Sequence, residues 1–164
     1  MKTITEMSLI IRIIRALFLV KEIISKEGKV HFRRYRLLAT PWFNIYIHQI
    51  LKSDEDAHFH DHPWNFLSYI LKGSYHERWT EYPDHRWEYS TVWSSLPPPG
   101  VPGMKPRRVI RHHAQDAHSI TILTPEVWTL VFTSGRARVW GYQTPQGWID
   151  FKTYRQLKNE GKLR

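Results

Sequence analysis

The chain of 164 residues contains no cysteine. That absence excludes disulfides, iron–sulfur clusters and thiolate-ligated metals. Any metal ion must therefore be held by histidine, aspartate or glutamate. A chain without disulfides suits a reducing compartment, and a cytoplasmic location is expected. Acidic residues are scarce: 15 Asp and Glu stand against 24 Lys and Arg, giving a formal charge of +9. That excess favours anionic partners, or simply solubility. No RNA- or DNA-binding motif accompanies it, so nucleic acid is not an expected partner. Long apolar runs are also missing. Residues 9 to 20 come nearest, but Arg12 and Arg15 interrupt them. The stretch is too short and too charged to span a bilayer, and no small-residue cleavage site follows it.

Aromatic residues are plentiful, with eight tryptophans, which suits a barrel packed with large rings. The length fits one domain with one core, and no internal repeat is visible. Residues 3 to 27 read as a helix: Thr3 and Glu6 form a capping box, and Gly28 is a natural stop. Its wide apolar surface predicts that residues 1–28 cover the outside of a barrel or a homodimer interface. Peripheral contact with a membrane surface is the alternative.

From Val30 onward the pattern changes to short strands and turns. Strands are expected over 30–38, 43–51, 66–71, 75–82, 86–92, 108–110, 118–123, 128–133 and 136–142. Ser134-Gly135 reads as a hairpin turn between the last two. The proline-rich stretch 97–106 must be a loop, because its prolines lack donors. Residues 156–164 form a basic tail, with a helical turn expected over 154–160. Many short strands with regular turns predict an all-β barrel or sandwich over residues 29–155.

The segment from Ala57 to Glu77, AHFHDHPWNFLSYILKGSYHE, carries the chemistry. On a strand, His60 and His62 project to one side and Asp61 to the other. Two imidazoles at adjacent same-side positions can grip one metal ion. The alternative is a polar pair that hydrogen-bonds to its neighbours. His58 shares their parity and is a secondary ligand candidate. Asn65, off that face on a regular strand, is a weaker one that a bulge would bring near.

This segment resembles the first cupin motif, with its paired histidines, a glutamate and a closing glycine. His60 and His62 match the histidines and Gly73 the glycine, while Phe66 falls where the glutamate usually sits. The segment RHHAQDAHSITIL supplies His118 as the counterpart of the later cupin histidine. The block from Trp128 to Phe151 is similar to that of small bacterial and phage cupins with HDHPW and GW motifs. The resemblance implies a double-stranded β-helix, the cupin jelly roll, with an N-terminal α-helix. It also implies a three-histidine centre of His60, His62 and His118, with Phe66 beside the metal.

Three neutral imidazoles suit a divalent ion: Fe(II) is favoured, with Zn, Ni, Mn or Cu as alternatives. Phe66, Tyr69, Tyr75, His112 and Trp140 are candidate cavity residues. Arg34 and Arg36 share a face of one expected strand, and Lys105, Arg107, Arg108 and Arg111 form a second basic cluster. Either set could hold an anionic substrate or be a solvated edge. The function expected is a non-haem iron oxygenase acting on a small, anionic substrate. The alternative is a non-oxidative cupin: a sugar-nucleotide epimerase- or isomerase-like enzyme, or a small-ligand binding module.

Overall fold

The computed structural model describes residues 18–24, 28–54, 56, 58–81, 86–93 and 108–163. They form two six-stranded sheets. The first runs in the order β1 (Leu19–Ile24), β2 (Val30–Ala39), β3 (Phe43–Ile50), β10 (Val127–Ser134), β5 (Phe66–Lys72) and β8 (Val109–His112). The second runs β12 (Gly147–Asp150), β11 (Gly141–Thr144), β4 (Phe59–His60), β9 (Ala117–Ile122), β6 (Ser74–Glu81) and β7 (Arg86–Trp93). Every pairing is antiparallel. The architecture is an all-β jelly roll.

Alternation decides which side chains go inside. In β10, Val127, Thr129, Val131 and Thr133 are buried, whereas Phe132 points outward and is exposed. Ile70, Tyr75, Ile110 and Val127 make a small apolar core, extended by Ile50, Ile120 and Ile122. That core lies deeper along the strands that carry the histidines. Gly73 closes the turn between β5 and β6 at φ +81°, where a Cβ would meet the Glu126 carbonyl oxygen at 2.3 Å. Only glycine fits both conditions.

Among the described residues, the regular structure ends in a helix, α1 (Phe151–Asn159). Asp150 caps it, accepting from the backbone N–H groups of Lys152 and Thr153. Its buried Tyr154 stacks on Tyr142 at 3.7 Å between ring centroids. The helix starts before the turn expected at 154–160 and ends at Asn159, with Glu160 as its C-cap. No helix among the described residues is long and apolar enough to cross a membrane.

Three expectations need correction. Residues 19–24 are strand, not the end of a helix: β1 pairs with β2, Glu22 opposite Arg33. Pairing along the exposed edge of β2 outweighs the weak helical preference of a β-branched segment. The rest of that expected helix, residues 1–17, lies outside the described residues, as does the proline-rich stretch 97–106. Ser134-Gly135 is not a hairpin turn. The chain leaves the first sheet there and crosses to the second, where the hairpin joins β11 to β12. Residues 136–140 are accordingly irregular, and the last strands begin at Gly141.

Candidate metal centre

The histidine pair sits where the second sheet is narrowest. Strand β4 has two residues, and its His60 pairs with His118 of β9 on one side and Tyr142 of β11 on the other. His62 follows on the irregular segment after β4, its N–H bonded to the Ala114 carbonyl at 3.2 Å. Alternation turns Asp61 the opposite way, into a buried clamp. Its carboxylate accepts from the Arg138 guanidinium, from the Gly141 N–H at 2.6 Å and from the Trp148 indole at 2.8 Å. Asp61 therefore holds the C-terminal hairpin to the histidine segment and fixes which way the flanking imidazoles face.

The three rings converge. Centroids are 5.2 Å apart for His60–His62, 4.7 Å for His60–His118 and 4.9 Å for His62–His118. One nitrogen from each lies within 4.8 Å of the others. Nε2 of His62 is 2.8 Å from Nε2 of His118. Two nitrogens bound side by side to one ion at about 2.1 Å would lie roughly 3.0 Å apart. The His62–His118 pair therefore already stands at the spacing of two ligands on one divalent metal, with a nitrogen of His60 within 4.8 Å of both.

Glu77 governs His118. It projects inward from β6, two residues before the cross-strand partner of His118, and is 2 % exposed. Its Oε1 accepts a hydrogen bond from Nδ1 of His118 and another from Nε2 of His112 at 3.0 Å. With Nδ1 donating, the Nε2 lone pair of His118 points at His62 and the cavity. Glu77, His112 and His118 could hold an ion themselves, but their facing atoms are already spent on one another. In the three-histidine set, Nε2 of His62 and His118 meet only each other, a contact that a metal ion would replace.

Electrostatics agree with that division. Burial lowers the His60 imidazole to about 4 and pushes His62 well below its usual range, His118 and His60 adding to the latter effect. Both are neutral ligands-in-waiting at physiological pH. Burial would raise the Glu77 carboxyl, but the bonds from His112 and His118 outweigh it and take it to about 2. Burial would likewise lower His112, but the Asp116 carboxylate 3.7 Å from its Nδ1 and the bond to Glu77 bring it to about 9. Behind the neutral ligands thus lies an ionised pair, Glu77 with His112, flanked by Asp116.

The histidines open into a cavity of about 410 Å³ between the sheets. Phe66 projects into it with its ring 4.8 Å from His62 and 5.9 Å from His118. It stands as an apolar wall where a fourth ligand would otherwise reach. Trp140 lines the same wall, 6.3 Å from His60, and Tyr75 lines its floor. Four candidates fall elsewhere. His112 is not on the cavity wall but behind it, bonded to Glu77. Tyr69 alternates away from the inward Ser68 and Ile70 of β5. Asn65 is engaged with backbone, accepting from the Ala114 N–H at 2.8 Å. His58 meets Tyr154, Nδ1 to hydroxyl at 3.0 Å, and stands apart from the three converging rings. The basic cluster at 105–111 splits: Lys105 and Arg107 lie outside the described residues, and Arg108 and Arg111 are exposed.

No family model matches the chain, and no curated protein does. Solved structures do. The Fe(II) form of HppE matches with a TM-score of 0.50 at 12 % identity, over 69 % of this chain and 54 % of that one. Hydroxypropylphosphonic acid epoxidase from S. wedmorenis matches with a TM-score of 0.45 at 13 % identity, over 69 % and 55 %. A conserved protein of unknown function from Streptococcus pyogenes gives 0.45 at 14 % identity, over 71 % and 82 %. The fold is of the cupin type. The chain spans about half the length of the HppE chain, and at these identities the likeness is one of fold alone.

Proposed function

We propose that this chain is a metal-dependent cupin-type enzyme in which His60, His62 and His118 hold a divalent ion. The observation that carries the reading is the convergence of three imidazoles, one nitrogen from each within 4.8 Å, at the wall of a cavity. The ion favoured is Fe(II), and the reaction class favoured is oxygenation of a small, anionic substrate. The Fe(II) form of HppE, with the same type of fold, supports that choice. A divalent ion held by neutral imidazoles keeps its full Lewis acidity and, if redox-active, supplies one-electron chemistry.

The chain's own residues supply the rest. Glu77 keeps the proton of His118 on Nδ1, so that Nε2 faces the cavity. His112 balances the Glu77 charge. Phe66 and Trp140 exclude water from one side of the ion. The second reading, a non-oxidative cupin such as an isomerase or binding module, uses the same cavity with the histidines as acid–base groups. We further propose that the chain works in the cytoplasm as a homodimer, on the strength of its lack of cysteine and its apolar first segment.

Metal analysis of protein purified without a histidine tag tests the reading. We expect about one equivalent of transition metal per chain, lost in His62→Ala while the circular-dichroism spectrum keeps its β signature. A wild-type protein devoid of metal, or an H62A variant that retains it, would sink the three-histidine centre.

A further inference from the structure

Opposite the histidines, the cavity carries a cation that no carboxylate among the described residues answers. Arg34 of β2 pairs across the ladder with His48 of β3 and, on the other side, with Lys21 of β1. All three side chains line the cavity. Like charges directly opposite one another on neighbouring strands are unfavourable unless something compensates them. Burial lowers the pKa of Lys21, with Arg34 contributing, and burial lowers that of Arg34 itself.

The carboxylates that line the cavity among the described residues are committed elsewhere. Asp54 accepts from the Ile120 N–H at 2.7 Å. Asp56 takes Lys158 at 2.5 Å and the Tyr142 hydroxyl at 2.9 Å. Asp61 and Glu77 are tied up in the two clusters described above. His48 cannot serve either: it accepts from Arg34 Nε at 2.9 Å, and burial holds it neutral, helped by Arg34 and Lys21.

The surroundings of the guanidinium also fix how it can be approached. Its Cζ lies 5.0 Å from the Tyr46 ring centroid, 5.5 Å from Trp64 and 5.6 Å from Phe32. Rings cover it and His48 occupies Nε. What remains is the Nη1/Nη2 edge, two parallel N–H groups that match the two oxygens of a planar anion. The volume of about 410 Å³ sits near the lower end of the 300–1,000 Å³ typical of small-ligand sites.

We infer that this cavity takes a small carboxylate, gripped edge-on by Arg34 and steered by Lys21, with its far end toward His60, His62 and His118. The grip stands on Arg34 and its neighbours alone; only the orientation of the far end rests on the metal-centre reading. Arg34 would then select substrates by charge and planarity, and would hold the rest of the molecule at the histidines.

The test uses full-length protein stripped of metal by chelation, so that it is independent of the metal content. Benzoate, its neutral isostere benzamide, and inorganic phosphate are titrated by calorimetry and thermal shift at low and high salt. We expect benzoate to bind and raise the melting temperature, benzamide to do neither, and phosphate to bind more weakly than benzoate. Arg34→Met should weaken benzoate by at least about tenfold, the loss of one charge-assisted pair. Arg34→Lys, which keeps the charge but not the fork, should fall between and serves if R34M fails to fold. Without ligand, R34K should melt within a few degrees of wild type, because no carboxylate partner is lost. Failure of benzoate to bind, equal binding of benzamide, or unchanged affinity in the Arg34 variants overturns the inference. Tighter binding of phosphate overturns the planar-anion assignment.

Discussion

Replacing Glu77 with glutamine removes one negative charge from behind the histidines and changes little in volume. In the native protein the Glu77 Oε1 atom serves two imidazoles at once, His118 and His112. The first consequence concerns metal. Losing the partner that orients a histidine ligand commonly weakens metal binding about 10–100-fold, or roughly 1.4–2.7 kcal/mol. Glutamine can still accept from His118 through its carbonyl, so the lower end of that range is expected. The second consequence concerns stability without metal. His112, held at about 9 in the folded chain, stays protonated at pH 7. From pH 7 to 9 is about two units, or about 3 kcal/mol at roughly 1.36 kcal/mol per unit. Asp116 supplies part of that, so E77Q should cost about 1–3 kcal/mol, a fall of roughly 3–10 °C in melting temperature for a chain of this size.

The pH dependence gives the stricter test. A raised histidine contributes fully below its unfolded value of about 6.5 and ceases to contribute as pH passes its folded value of about 9. The gap between wild type and E77Q should therefore narrow from pH 7 to pH 10. Glu77, lowered to about 2, contributes above its unfolded value near 4.5, and that contribution disappears as pH falls through 2. The assays are competitive metal titration and thermal denaturation of the metal-free protein across that range. An E77Q protein with wild-type metal affinity and melting temperature, or a gap that widens toward pH 10, would refute the reasoning.

Asp61→Asn keeps the shape of the clamp but removes its charge, leaving Arg138 without a counter-ion; about 2–3 kcal/mol should be lost in a urea titration. Because Asp61 sets the direction of the histidine segment, metal affinity should fall as well. Gly73→Ala meets both a positive φ and the Glu126 carbonyl, so at least about 1–3 kcal/mol should disappear in the same assay. A chain beginning at Lys29 loses β1 along with everything before it. It should be less stable than one beginning at Phe18, and light scattering on the two and on the full-length chain separates a contribution of β1 from one of residues 1–17 to dimerisation.

Much of the centre was legible because strand parity is a strict rule. His60 and the counter-facing Asp61 follow from alternation, which carries on to His62 although β4 ends at His60, and the placement of Phe66 beside His62 follows from the cupin resemblance. Glu77 was less visible, although its signal was present: it shares parity with Tyr75 and Trp79, so a carboxylate was headed for an aromatic interior where it must find a partner. The network through His112 and Asp116 depends on which strands become neighbours, and β8 reaches β5 only through the folded sheet. The first segment was misread for a different reason. An apolar run with β-branched residues satisfies a helical and an extended reading equally, and the edge of β2 decides between them over residues 19–24. Ser134-Gly135 does turn the chain, but no local pattern says that the next strand belongs to the other sheet.

The brevity of β4 has a kinetic consequence. The β11–β12 hairpin and the helix after it join the ladder of the second sheet only at Phe59 and His60, with side-chain ties at Asp61, from Asp56 to Tyr142 and Lys158, and from His58 to Tyr154. A unit attached by so few ladder bonds is suited to opening on its own, well below the free energy of global unfolding. His60 is part of that seam, so an ion shared among His60, His62 and His118 would act as a latch across it. Amide hydrogens of Gly141 to Asp150 should then exchange by local opening in the metal-free protein and become markedly slower once the ion is bound. Metal release would be gated by the same opening, at a rate that mutations in the C-terminal hairpin could tune without touching a ligand.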